Sequence, residues 1–213
     1  MKELYVFNFW YLFLSIVLLY LVVTYLTNTY IYTDSFYYQM LSDKFDSDRV
    51  MEIIHSQVRF QYIGYLVLPV VILLKLVIIA GVLYIGLFLF DGHSQYKHCL
   101  NVVLVAELVS VVVVIIRTGW MLVYRPQNAN DIQYFSPLSL TQLLNLDKIP
   151  KYLFYPLQLC NVFEVAYWLL LAYGIMAFTN WKFGKSMRLV ASSYGIALAV
   201  WAVVVVFIQV QFS

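Results

Sequence analysis

Four ionisable residues, Lys75, Glu107, Arg117 and Glu164, each stand inside an apolar run long enough to cross a bilayer. Insertion scales price such a side chain near the membrane centre at roughly 2.5 to 3.5 kcal/mol, so each needs a partner or water. Two kinds of chemistry follow. Opposite charges at matching depth neutralise one another and hold helices in register, whereas a file of them through the bundle offers a path to an ion or proton. Depth decides the pairing. Counted from the outer ends of the runs, Lys75 lies about 20 Å in and Glu107 about 25 Å in, while Arg117 and Glu164 both lie about 10 Å below the surface. The expected pairs are Lys75–Glu107 and Arg117–Glu164. No repeated acidic relay accompanies them, which favours fixed pairs over a path.

Other reactive residues propose less. Asp91-Gly92-His93-Ser94-Gln95-Tyr96-Lys97-His98-Cys99 contains possible metal ligands, but its spacing fits no zinc pattern and reads as a polar turn between two helices. HExxH, GxSxG and P-loop patterns do not occur, so no catalytic residue, metal site or cofactor is expected. Cys99 and Cys160 fall at opposite ends of their runs, which argues against a disulfide between them.

The elements that position these residues are set by the solvent. The 213 residues are 63% hydrophobic and 11% charged, with a mean hydropathy of +0.82; a soluble domain carries roughly a quarter charged residues. A hydrocarbon core of about 30 Å takes about 20 apolar residues in a helix. Such runs extend over about 9–31, 62–90, 100–124, 157–179 and 189–212. In lipid every backbone N–H and C=O must be satisfied within its own segment, which forces helices or a closed barrel. Runs such as LVSVVVVII lack the alternation of barrel strands. The expected fold is an all-α polytopic transmembrane bundle of five spans, a single transmembrane domain over 1–213. The first run is too long for a cleaved signal peptide and ends in Asn28-Thr29-Tyr30 without a small-residue cleavage site, so it reads as a retained anchor.

Tyr and Trp mark the ends of the spans, including Trp10, Tyr30, Tyr62, Trp120 and Trp181, where amphipathic rings favour the headgroup layer. Short amphipathic helices are expected in the two long loops. The first begins at Asp46-Ser47-Asp48 with an apolar stripe at Val50, Ile54 and Val58 and leads into the second span. The second covers Ser136 to Leu144, with Pro137 in its first turn. Pro69 inside the second span removes a backbone hydrogen bond and predicts a structural kink. Small residues such as Ala80, Gly81, Gly86, Ser193 and Gly195 permit close helix approach.

An odd number of spans places the termini on opposite faces. The densest short positive segment is the tight loop from Lys182 to Arg188, which favours a cytoplasmic N-terminus and an outer C-terminus.

From about residue 46 onward the order of features resembles a known family. A polar helix leads into Leu66-Val67-Leu68-Pro69 and a span ending in Phe90-Asp91-Gly92-His93-Ser94-Gln95. Leu100-Asn101-Val102-Val103 follows, then Phe135-Ser136-Pro137-Leu138-Ser139-Leu140, Asn161-Val162-Phe163-Glu164-Val165-Ala166-Tyr167-Trp168, and the turn Phe183-Gly184-Lys185. This order resembles the Yip family of five-span, Ypt/Rab-interacting membrane proteins, in particular its compact bacterial branch. The resemblance implies a cytoplasmic N-terminus, an outer C-terminus and a bacterial inner membrane. Eukaryotic members act with small GTPases through a cytosolic N-terminal region. Only about seven residues precede the first span here, so GTPase binding is not carried over.

The expected function is that of a non-enzymatic membrane-embedded partner or scaffold in membrane organisation, transport or secretion. Its partners would be the lipid bilayer and a membrane protein or a second copy of the chain, with no nucleic acid. The alternative is a small ion or solute transporter or channel subunit lined by Lys75, Glu107, Arg117 and Glu164. The lack of an internal repeat and of matched broken helices weighs against it.

Overall fold

Asn8 opens the first helix: its side-chain oxygen accepts from the Trp10 amide at 3.2 Å, and α1 runs over Phe9–Tyr30. The computed structural model describes residues 8–42, 45–91, 95–124, 135–142, 144 and 150–211. After α1, Thr33 caps a helix that the sequence reading did not anticipate, α2 (Asp34–Leu41), by accepting from the Phe36 amide at 3.3 Å.

Helix α3 is continuous over Ser47–Asp91 and passes through Pro69. Its 45 residues reach about 67 Å at 1.5 Å per residue, more than twice the hydrocarbon thickness. The predicted loop helix and the second span are therefore one rod. Its polar first third buries Val50 and Ile54, and α2 packs on α3. Burial pushes the Tyr37 phenol of α2 above its ordinary value, and a hydrogen bond with Gln57 of α3 draws it back. Arg49 and Glu52 form an exposed ion pair one turn apart. The side chain of Val58, third in the expected stripe, lies outside the described residues.

Helix α4 spans Tyr96–Tyr124 and is the hub. Helices α1, α3 and α6 (Val162–Thr179) all pack against it, and Val102, Val103, Leu104 and Ala106 are almost fully enclosed. The Gly92-His93-Ser94 part of the expected polar turn and residues 125–134 lie outside the described residues.

The amphipathic helix expected over Ser136–Leu144 does not form. Leu138 takes a positive φ of 53°, which a helix cannot accommodate. Ser139 pairs instead with Asn161 in an antiparallel bridge, with Leu140 N donating to Cys160 O at 3.1 Å and Val162 N to Leu138 O at 3.3 Å. Only a 3-10 turn over Leu140–Gln142 remains; Leu143 lies outside the described residues. A second 3-10 turn, Lys151–Leu153, leads into α5 (Phe154–Leu159).

The fourth span then starts at Val162, five residues later than its predicted boundary, because the backbone leaves α5 at Cys160 and Asn161 caps α6 by accepting from Glu164 N at 2.7 Å. Asn180, at φ 57°, closes α6. The basic segment expected as a loop from Lys182 to Arg188 is instead helical from Phe183. Helix α7 (Phe183–Val190) continues through a π-helical segment, Ala191–Gly195, into α8 (Ile196–Gln211). The reversal shrinks to Asn180–Lys182, where the Lys185 ammonium sits 3.5 Å above the Trp181 ring.

The described residues form an all-α bundle in which five helices are long and apolar enough to cross a membrane: α1, α3, α4, α6 and the continuous α7–π–α8 rod. The chain is a multi-pass membrane protein with α4 innermost. Helix α8 contributes no fully buried residue: Leu198 packs on the core, while Val200, Trp201, Val203, Phe207 and Val210 are exposed.

Candidate functional site

Helices α1, α3 and α4 bring three polar side chains together at mid-bundle. Glu107 of α4 is 1% exposed, and its Oε1 accepts from Lys75 Nζ of α3 at 2.8 Å. The same oxygen accepts from the Tyr20 hydroxyl of α1 at 3.0 Å. Ser110, one turn beyond Glu107, lies 3.3 Å from Lys75 Nζ. The Lys75 side chain keeps 44% of its surface exposed, so the cation lies at the edge of the bundle and reaches inward. A carboxylate in hydrocarbon is tolerable only when its charge is matched; here one cation and one phenol match it through a single oxygen. The other, Oε2, is buried and makes no hydrogen bond.

A second carboxylate centre lies toward the start of α6. Glu164 Oε1 accepts from Trp168 Nε1 at 2.9 Å and from the Tyr194 hydroxyl at 2.9 Å. Glu164 and Trp168 are four residues apart, hence neighbours on one helix face. Tyr194 comes from the π segment. A π turn inserts one residue into the helical ladder and rotates the side chains that follow, and Tyr194 lies within that widened turn.

Gly195 completes the arrangement. A Cβ there would lie 2.7 Å from Trp168 Cη2, so only glycine lets the indole rest against the π segment. Gly86 of α3 does the same on the other side, where a Cβ would lie 2.8 Å from Ser193 Cβ. The first turn of α6 also suits a carboxylate, since the helix dipole is positive there.

Tyr167 stands between the centres. Its ring centroid is 5.4 Å from that of Tyr194, and its hydroxyl is buried without a hydrogen-bond partner among the described residues. Tyr20, Tyr167, Tyr194 and Trp168 are the members of the site that the sequence reading missed. It assigned most aromatics to the headgroup layer, whereas a phenol at the middle of a span carries a hydroxyl that favours a partner in lipid, as Tyr20 and Tyr194 find.

The arrangement departs from the expected pairing at one point. Among the described residues the ion pairs are Arg49–Glu52 and Lys75–Glu107; Arg117 does not join Glu164. Tyr167, Leu171 and Ile175 form the buried face of α6 against α4. Glu164 and Trp168 lie on the flank turned toward the π segment instead, and Arg117 is half-buried on α4. The later start of α6 places Glu164 in its first turn, and its carboxylate turns to Trp168 and Tyr194.

Beside Glu164 lies an open groove of about 890 Å3, walled by α6, α8 and the bridged loop. Among the described residues no group of three or more metal-ligating side chains is present. Cys99 is buried and Cys160 exposed, both as free thiols. No protein-family model matches the chain, and neither does any curated protein or solved structure.

Proposed function

We propose that the chain is a non-enzymatic, membrane-embedded partner or scaffold that serves membrane organisation, transport or secretion, in keeping with its resemblance to the Yip family. The reading rests chiefly on the Lys75–Glu107–Tyr20 cluster, in which one buried carboxylate ties three spans together. Charge used in this way fixes a bundle. Helix α8 supports the same reading: its exposed Val200, Val203, Phe207 and Val210 offer an apolar face to a second membrane protein or a second copy of the chain. The orientation in this proposal is N-terminus cytoplasmic and C-terminus outside, in a bacterial inner membrane. Gentle solubilisation followed by affinity capture tests it: a stoichiometric membrane partner or a discrete homo-oligomer is the expected result, and a monomer with no co-purifying protein contradicts it.

A second reading, a small ion or solute transporter or channel subunit, draws on a different observation. Among the described residues Glu164 accepts from neutral donors only, and the Tyr167 hydroxyl and Glu107 Oε2 are buried without hydrogen-bond partners. Flux through reconstituted vesicles that Glu107→Gln abolishes would decide for that reading over the scaffold.

A further inference from the structure

The two carboxylates inside the described bundle are partnered differently, and the difference has a chemical consequence. Glu107 has an ammonium at 2.8 Å. Glu164 takes its hydrogen bonds from an indole and a phenol, neither of which carries charge. Among the described residues no cation faces that carboxylate, and in a medium of low dielectric a carboxylate ion gains most from a counter-ion brought beside it. The groove beside it is built for an apolar guest: Leu138, Leu159, Val165, Leu198 and Ala202 line it, and no lysine or arginine is among its described lining residues. Its volume falls in the usual range for small-molecule sites. Trp168 lines the same groove, and an indole face attracts a cation beyond the charge of the carboxylate itself.

Charge complementarity therefore selects the guest. We propose that this groove binds a hydrophobic organic monocation dissolved in the membrane, such as a quaternary ammonium or phosphonium, with its positive centre against Glu164 and Trp168 and its apolar arms along α6 and α8. A phospholipid amine fits less well, because its phosphate would find no basic residue among the described lining residues. The inference is independent of whether the chain works as a scaffold or a transporter, since it concerns binding alone.

The test uses the purified full chain in phosphatidylcholine nanodiscs and radiolabelled tetraphenylphosphonium, with neutral tetraphenylmethane as competitor. Saturable binding, not displaced by the neutral isostere, is expected. Glu164→Gln should weaken it by about tenfold or more, the loss of one cation–carboxylate contact at low dielectric. Glu164 also holds Tyr194 and Trp168, so a second variant guards against misfolding of the first: Ala199→Trp, which fills the groove from exposed α8, should weaken binding by a similar factor of about ten. Val203→Trp, outside the groove, should leave it unchanged. Non-saturable uptake, displacement by tetraphenylmethane, or wild-type affinity in Ala199→Trp or in folded Glu164→Gln would overturn the proposal. Loss of binding when phosphatidylethanolamine replaces half the phosphatidylcholine would assign the groove to a lipid amine and overturn it as well.

Discussion

At the scale of single residues, one oxygen of Glu107 collects a phenol and an ammonium from two other helices, so the effects of substitution there cannot be additive. Lys75→Met should cost about 3 kcal/mol of stability by leaving Glu107 buried without its cation. Adding Glu107→Gln to Lys75→Met should restore part of that loss, because removing both members of a buried pair is far cheaper than removing one. Thermal unfolding in detergent of the two single variants and the double variant checks this; strictly additive losses would contradict the pair. The glycines give a sharper contrast. Gly195→Ala must displace the Trp168 ring and Gly86→Ala must move Ser193, so each should destabilise by about 1–3 kcal/mol. Gly81→Ala meets nothing within 4 Å and should be neutral or stabilising by up to about 1 kcal/mol, since alanine favours a helix. Equal melting shifts for the three would rule out close packing at the π segment. The Lys75–Glu107 juxtaposition follows from depth counting alone, because a tight connection makes α3 and α4 neighbours and rise per residue is a constant. The partners of Glu164 were not legible that way: azimuth depends on where α6 starts, and Asn161 starts it later than hydropathy does.

Elements begin and end here on polar side chains that hydropathy cannot weigh. The apolar runs locate all five spans, yet the first third of α3, the whole of α2 and the first helical turns of α7 are polar or mixed and fall outside any hydropathy window. Asn161 illustrates the point, since its side chain donates to Gln158 O at the end of α5 and caps α6, while its backbone pairs with Ser139. Asn161→Ala should cost about 1 kcal/mol, the usual worth of an N-cap, and should loosen the bridged loop together with the start of α6. Faster amide exchange at both Leu140 and Val165 is the expected signature, and protection unchanged at Leu140 would separate the cap from the bridge. The helix predicted over Ser136–Leu144 failed for a related reason: a cap, a proline and an apolar repeat describe its start, but pairing with Asn161 satisfies the same backbone groups once Leu138 turns into the left-handed region.

For the whole molecule, a bundle whose central helix is α4 and whose outer surface is apolar is solved by lipid. The fold class was legible because five apolar runs leave the backbone no other way across a membrane. The face that α8 presents outward, and what covers it, was not, since an outward apolar helix reads alike whether lipid or a partner touches it. The central claim is the number of crossings, because an odd count fixes which loops share a face and therefore where the groove and the basic turn lie. With Cys99 and Cys160 replaced by serine, Asn8→Cys and Gln211→Cys variants can be probed in intact cells and in inverted vesicles with a membrane-impermeant maleimide. The two positions are expected to react from opposite sides and, in the proposed orientation, Asn8→Cys only in the inverted vesicles and Gln211→Cys only in intact cells; labelling of both from the same side would rule out an odd number of crossings.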